Sequence, residues 1–296
     1  AALFISHSYG VLIGMLRGKV NAIIVGPLGM GIVSQMNQLI NVVITNIELG
    51  LSNGVTKIIA QEKVKNNFAQ VQLIINTVIT LFGIVSATVV FFGVIFSNSI
   101  AKSYFHDGSF HYIVLIIAFT IPFALFKYVI NSMLVGLGAI KSIAKNTMLS
   151  VTLGAIVVIS SVYFFRIRGL VFSVLINMVT DVTIGIIYLY KNTRFDLKGL
   201  KIKYFDIKQL KELYYFATAS VFAMVSSNIT TGFISSYSIK HLGFYKLGFY
   251  GVTMTLSGLY VPVFTNIISS YFYPKVSEYK DNPSGLSKEL NSLIII

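Results

Sequence analysis

The chain contains no cysteine and no tryptophan, and only 11% of its 296 residues are charged. The lack of cysteine excludes disulfides, iron–sulfur clusters and thiolate metal sites. A soluble domain devotes about a quarter of its residues to Asp, Glu, Lys and Arg, so the low charge content argues against an ordinary soluble enzyme and a nucleic-acid-binding module. Hydrophobic residues make up 55% of the chain, and its mean hydropathy is +0.79. This is the composition of a membrane protein.

Eight apolar stretches are long enough to cross a bilayer, which requires roughly 20 helical residues. They are residues 1–25, 32–51, 68–96, 110–135, 147–165, 169–190, 213–236 and 247–273. Lipid offers no partner to an unpaired backbone amide, so such segments are helical. We therefore expect an all-α polytopic membrane protein. The apolar run at residues 293–296 is expected to begin a ninth span of a longer chain.

The distribution of basic residues predicts the orientation of these spans. Loops after the even-numbered spans carry about three times as many Lys and Arg residues as the other loops, and basic loops are typically cytoplasmic. We therefore expect a cytoplasmic N-terminus, with Lys57, Lys63 and Lys65 in the loop between spans two and three. The expected domains follow the longest loop. They are a six-helix transmembrane bundle at 1–190, a basic cytoplasmic linker at 191–212, and the first part of a second, truncated bundle at 213–296.

A short glycine pattern recurs after the first span of each half. Gly26 and Gly31 lie between spans one and two, and Gly243 and Gly248 lie with the same spacing at the junction of spans seven and eight. Parallel repeats place such elements at matching positions. The pattern is compatible with homologous halves but does not establish it.

Polar residues share one face of several spans, which indicates a cavity or a pathway because ionisable groups inside a membrane are costly. In span two this face comprises Ser34, Asn37, Gln38, Asn41, Thr45, Glu48 and Ser52. In span one it comprises His7, Gly10, Gly14, Arg17, Gly18 and Asn21. Span four contributes Thr120, Lys127, Asn131 and Gly138. Span six contributes Ser173, Asn177 and Asp181. Span seven contributes Ser220, Ser227, Asn228, Thr231 and Ser238. We expect these faces to line an aqueous cavity, although the sequence does not tell whether Arg17 and Lys127 share the same one.

The embedded charges predict what such a cavity would bind. The cations outnumber the carboxylates, so a net positive field would remain that suits a phosphate or pyrophosphate group. The expected cavity residues are Arg17, Asn21, Asn37, Asn41, Lys127 and Asn131, and the candidates for proton or sodium coupling are Glu48 and Asp181.

Two other interpretations of these residues remain open. The spacing of Gly10, Gly14 and Gly18 is also typical of a close helix contact. The charges could instead form structural pairs, Lys127 with Asp181 or Arg17 with Glu48.

Catalytic and metal-binding patterns are not evident in the sequence. The four histidines have no carboxylate at metal-ligand spacing beyond the adjacent His106 and Asp107. The sequence shows no nucleophile–base arrangement. We expect neither an enzyme nor a metal or cofactor site.

The opening of the chain resembles a known family. The motif runs Lys19-Val20-Asn21-Ala22 to Gly26-Pro27-Leu28-Gly29-Met30-Gly31, then Gln35, then Leu51-Ser52-Asn53-Gly54-Val55-Thr56-Lys57 to Ala60-Gln61. It resembles bacterial flippases for lipid-linked oligosaccharides, of the O-antigen or enterobacterial common antigen type, in the multidrug/oligosaccharidyl-lipid/polysaccharide exporter superfamily. The motif covers about the first 65 residues, and the pattern of spans extends the resemblance over the chain.

The resemblance implies two helical bundles around a central cavity, alternating access, and transfer of undecaprenyl-pyrophosphate-linked repeat units to the periplasmic leaflet. It also implies a location in the bacterial inner membrane, further helices beyond this chain, and other membrane proteins of polysaccharide assembly as partners. From the composition we expect no nucleic-acid partner. The family's cationic lumen would correspond to Arg17 and Lys127, and the amides of span two would meet sugar hydroxyls. Lys127 and Asp181 are assigned by the helical-face argument alone.

Two rival functions are considered. The same scaffold serves cation-coupled multidrug antiporters, but a cationic drug calls for an acidic or aromatic cavity. A membrane polymerase or ligase of glycan assembly would carry a large periplasmic loop, and the chain shows none of that kind.

Overall fold

A computed structural model describes residues 2–48, 51–192, 226–254 and 257–258, and all regular structure in these ranges is helical. The described residues fall into two compact units, one ending at Phe249 and the other beginning at Tyr250. In the second unit, residues 250–254 and 257–258 are helical. Most of the expected linker, the first half of span seven, most of span eight and the ninth span lie outside the described residues.

Helix α1 (Ala2–Glu48) is broken at Gly26. Gly26 has φ 66° and ψ −177°, a conformation that a side chain would oppose, and the following Pro27 has no amide to donate. We call the two parts α1a (residues 2–25) and α1b (residues 27–48). They correspond to the first two predicted spans, although the second begins several residues earlier than the sequence predicts.

Helix α6 (Ile140–Asn192) is broken in the same way at Arg166, which has φ 50°. A Cβ on Gly169 would lie 1.9 Å from the carbonyl oxygen of Ser161, so the chain folds back at this point. Its parts, α6a (residues 140–165) and α6b (residues 167–192), are predicted spans five and six. Helices α3 (Phe68–Ile95) and α5 (His111–Gly136) are spans three and four.

Four helices in the described residues are long and apolar enough to cross a membrane, and the breaks divide the two longest of them. The resulting six segments confirm an all-helical, multi-pass membrane protein. Between α3 and α5 the chain forms α4 (Ser97–Ile100), a π-helical turn (Ala101–Phe105) and a 3-10 turn (Gly108–Phe110). Buried aliphatic residues of α1b, α3 and α5 pack around Met36, Phe82 and Leu125.

The expected loop between spans two and three is instead a helix, α2 (Leu51–Val64). Its apolar residues repeat at helical spacing, and Leu51, Val55 and Ile59 are buried. Lys57 and Lys63 are exposed on this helix, as lysines in a loop would be. Counting basic residues between two spans therefore does not reveal whether the connection is a loop or a helix. The helix packs against the end of α5.

Helical residues 226–249 belong to the first unit. Their helix runs through the expected loop between spans seven and eight. Gly243 has a φ of 74°, which is positive like that of Gly26.

Candidate functional site

An ion pair joins two of the predicted site residues from different helices. The ammonium group of Lys127, on α5, donates a hydrogen bond to Oδ2 of Asp181, on α6b. The Lys127 side chain is 47% exposed and that of Asp181 is 19% exposed. Within the described part of the chain, the pair is therefore more exposed on the lysine side than on the aspartate side.

Arg17, on α1a, interacts electrostatically with the same carboxylate. Among the described residues Lys127 forms an ion pair with Asp181, whereas Arg17 acts on the carboxylate only through its electric field. Two cations and one anion from three helices leave one net positive charge. We call Arg17, Lys127 and Asp181 the charge cluster. The sequence could not establish that Arg17 and Lys127 share one site, because they are far apart in the chain.

Glu48, the other candidate for ion coupling, lies in a different setting. It is buried at the end of α1b, and its Oε1 accepts the amide hydrogen of Ser52 at 3.0 Å. The carboxylate thereby satisfies a free N–H group in the first turn of α2. Its role in coupling stays a prediction. Of the two ion pairs considered from the sequence, the structure forms Lys127 with Asp181.

The glycine face of α1a is largely open. A Cβ on Gly14 or Gly18 would meet no described atom within 4 Å, and one on Gly10 would lie 3.8 Å from Cγ2 of Val151. A close helix contact would show short distances at all three positions. Among the described residues the geometry therefore argues against a close helix contact at Gly14 and Gly18, and it shows an ordinary contact at Gly10.

The predicted asparagines occupy two kinds of environment. Asn37, Asn41 and Asn131 are exposed, and Asn131 follows Lys127 by one helical turn. Asn21 is buried, and its Oδ1 accepts no hydrogen bond within the described part of the chain. The exposed amides can reach a polar ligand, and Asn21 offers an unused acceptor.

Several other residues of the predicted polar faces do not face a cavity. Thr120 is buried and donates to the carbonyl oxygen of Ile116 at 2.6 Å, and Ser173 does the same to Leu170 at 2.7 Å. Gly138 lies in a left-handed turn after α5. Hydroxyl groups can bond to their own helix, so helical spacing alone overestimates the polar surface.

Gln35, which enters the sequence analysis only as part of the motif, has a structural role. It is fully buried, and its Nε2 donates to the carbonyl oxygen of Tyr104 at 3.1 Å. This bond ties α1b to the π-helical turn. A buried glutamine in an apolar span is the signal that could have predicted such a tether.

Two carboxyl groups outside the spanning segments have lowered pKa values. A hydrogen bond from Lys65 lowers the pKa of Glu62, and hydrogen bonds from Ser109 lower that of Asp107. Both carboxylates are bound to their own local segments. The described residues contain no group of three or more His, Asp or Glu side chains that could hold a metal ion.

Comparison with solved structures shows the fold. The chain is similar to a multidrug resistance MATE family transporter of the MOP superfamily in an inward-facing conformation, with 17% identity and a TM-score of 0.67. It is also similar to a MOP superfamily transporter from Pyrococcus furiosus, whose binding pocket of reverse polarity suggests a different function, with 18% identity and a TM-score of 0.65. Each match covers 87% of this chain, which spans 61% and 59% of the two transporters.

No curated protein matches the chain. The model of a family described as polysaccharide biosynthesis protein matches residues 22–296, which is nearly the whole sequence. The match includes α1b, α5 and α6, which carry most of the predicted site. The chain therefore belongs to the polysaccharide biosynthesis protein family, and its fold is that of the MOP superfamily transporters.

Proposed function

We propose that the protein is a flippase that moves undecaprenyl-pyrophosphate-linked oligosaccharide repeat units from the cytoplasmic to the periplasmic leaflet. These units would serve O-antigen or related surface polysaccharide synthesis. The proposal places the protein in the bacterial inner membrane with a cytoplasmic N-terminus, beside other membrane proteins of polysaccharide assembly. Membership of the polysaccharide biosynthesis family and the transporter fold support export of a glycan.

The observation that carries the proposal is the charge cluster. Lys127 is already paired with Asp181, yet nearly half of its side chain is exposed, and Arg17 adds a second cation near the same carboxylate. A site of this kind attracts a group with more than one negative charge, because a pyrophosphate can engage both cations. The glycan would then lie along Asn37, Asn41 and Asn131.

Coupling to a proton or sodium gradient would act through Asp181 or Glu48. Asp181 is the stronger candidate, since its charge bears on both cations that would hold the pyrophosphate. Neutralising this carboxylate would release Lys127 to the cargo. The chain's own side chains would then supply binding and positioning, with no bond made or broken.

A cation-coupled multidrug antiporter is the alternative function on the same fold. A lipophilic cation would be repelled by a cluster with net positive charge, unless Asp181 were freed from Lys127. The charge balance therefore favours an anionic cargo. Lys127→Ala discriminates the two functions, because it should abolish glycan-lipid transport and should relieve the repulsion of a cationic drug.

The test uses the full-length protein in vesicles that contain an undecaprenyl-pyrophosphate-linked repeat unit. Movement is measured as the fraction of glycan that a soluble, membrane-impermeant glycan-modifying enzyme can reach on the far leaflet. Lys127→Ala should stop this movement. Lys19→Ala is the matched control, because Lys19 is an exposed lysine of α1a that is not part of the charge cluster.

Two results would refute the proposal. One is an absence of movement with the unmodified protein in vesicles that expel a cationic dye under a proton gradient, which would establish the antiporter. The other is an equal loss of movement from both lysine substitutions at normal protein levels, which would remove the special role of Lys127.

A further inference from the structure

The two glycine segments that echo each other in the sequence contact each other in the structure. A Cβ on Gly31 would lie 2.0 Å from the carbonyl oxygen of Phe244, and a Cβ on Gly248 would lie 1.9 Å from that of Pro27. Real side-chain carbons do not approach an oxygen so closely. At both positions the backbone of one segment therefore lies directly against the backbone of the other.

This contact is reciprocal. Gly31 and Gly248 are matching positions of the two segments, and so are Pro27 and Phe244, because the same sequence spacing separates each pair. Gly31 packs on Phe244 of the second segment, and Gly248 packs on Pro27, which is the matching residue of the first segment. A local two-fold relation of this kind is typical of repeated halves. We call Pro27, Gly31, Phe244 and Gly248 the outer seal.

Side chains around the outer seal strengthen the same contact. The ring of Phe244 lies 5.3 Å from that of Phe110 and 6.5 Å from that of Phe105, centroid to centroid. Nε2 of His106 lies 3.2 Å from the hydroxyl oxygen of Ser236. These ring and hydrogen-bond contacts join residues 226–249 to the loop before α5, which contains the π-helical turn and the 3-10 turn. The two glycine contacts join residues 226–249 to the start of α1b.

The outer seal lies at one end of the spanning segments. It follows the break between α1a and α1b, at the opposite end of α1b from Glu48. The basic loops predict that this end faces away from the cytoplasm. A cargo that leaves the charge cluster toward the periplasm would have to pass this end.

The expected alternating access requires an extracytoplasmic gate at this end. We propose that Gly31 and Gly248 determine the closed state of this gate, because the two segments can reach backbone contact only where neither residue carries a side chain. Opening separates the two segments and breaks both backbone contacts together. This inference rests on the proposed function only in that the gate controls release of the proposed cargo.

The first test measures opening of the gate without any cargo. The 296 residues contain no cysteine. In a full-length protein whose cysteines elsewhere, where present, are replaced by serine, Asn37→Cys provides a single reporter on α1b, about 9 Å along the helix from Gly31 at 1.5 Å per residue. A membrane-impermeant maleimide is applied from the periplasmic side to the full-length protein in spheroplasts. Labelling is slow when the gate is closed.

Gly31→Ala and Gly248→Ala should each raise the labelling rate about tenfold or more, since a minor open state populated at about 0.1–10% would become common. The double variant should add little, because one methyl group already parts the segments. Gly83→Ala and Gly232→Ala are the controls, since a Cβ at either helical position meets no described atom within 4 Å. Unchanged labelling in well-folded Gly31→Ala and Gly248→Ala would overturn the proposal.

The second test does not depend on the stability of the glycine variants. His106→Cys and Ser236→Cys are combined and joined by a short, reducible bifunctional thiol reagent. Cross-linking should stop glycan-lipid movement, and reduction should restore it. Continued movement in the cross-linked protein would contradict the gate.

The two proposals fail separately in these experiments. Glycine-dependent labelling without glycan-lipid movement would retain the gate and reject the cargo. Movement of the glycan-lipid without any effect of the glycines or the cross-link would retain the cargo and reject the gate.

Discussion

Replacing Asp181 by asparagine should strengthen the binding of inorganic pyrophosphate. The carboxylate of Asp181 competes with any anionic ligand for Lys127, and it also interacts electrostatically with Arg17. Asparagine keeps the size of the side chain and removes its charge. Both cations then become available to the ligand, and the charge of the cluster rises from one to two.

The expected magnitude follows from the geometry of the pair. Two unit charges about 4 Å apart interact by about 4 kcal/mol at an effective dielectric constant of 20. Because Lys127 is 47% exposed, solvent screening reduces the recoverable part to about 1–2 kcal/mol, above the range of fully exposed pairs. Since 1.4 kcal/mol is a factor of ten, we expect Asp181→Asn to lower the Kd for pyrophosphate about tenfold.

Isothermal titration calorimetry on the full-length protein in nanodiscs measures this change. The gain should shrink strongly when Lys127→Ala is already present, and a double-mutant cycle gives the coupling between the two residues. Asp107→Asn is the control, because Asp107 lies in the loop before α5 and bonds to Ser109. Weaker binding by Asp181→Asn, or an undiminished gain without Lys127, would refute the assignment of the charge cluster as the pyrophosphate site.

Three further predictions concern stability, measured by thermal unfolding in detergent. Gly136→Ala should destabilise the protein by about 1–3 kcal/mol, because its Cβ would lie 2.8 Å from Cβ of Ile59. Lys63→Met should cost about 0.5 kcal/mol, because the ammonium group binds a terminal carbonyl of α5 at 2.6 Å. Asn67→Ala should cost about 1 kcal/mol, since its side chain accepts the amide hydrogen of Gln70 at the start of α3.

Gly83→Ala separates these effects from a general response to substitution. It adds the same methyl group as Gly136→Ala inside a helix, but no described atom lies within 4 Å of it. It should leave stability unchanged or raise it slightly, because alanine favours the helix. A loss equal to that of Gly136→Ala would contradict the packing argument between α2 and α5.

Much of the fold could be predicted because lipid imposes strong constraints on a spanning chain. Apolar runs of spanning length predicted the six segments from α1a to α6b, and the gap between the first two runs predicted the first break. The gap between the fifth and sixth apolar runs, at residues 166–168, also predicted the position of the second break, but not its backbone geometry. At Arg166 an arginine adopts φ 50°, a conformation for which local sequence gives little warning.

The sequence by itself determined the class of protein, the number of spans in the first half and the short set of residues that carry charge inside them. Composition and helical periodicity are local properties, so they can be read without a fold. Helical spacing also placed Lys127 and Asn131 on one face, which is exposed in the structure. It failed for Thr120 and Ser173, because a hydroxyl can turn back to its own helix.

Only the tertiary structure decided which charges meet. Arg17, Lys127 and Asp181 lie on three different helices, and their association depends on how those helices pack. The outer seal is decided in the same way. Its glycines recur in the sequence. Gly31 and Gly248 contact each other's segments only because the fold brings together two turns that are distant in the chain, and no local sequence pattern predicts this.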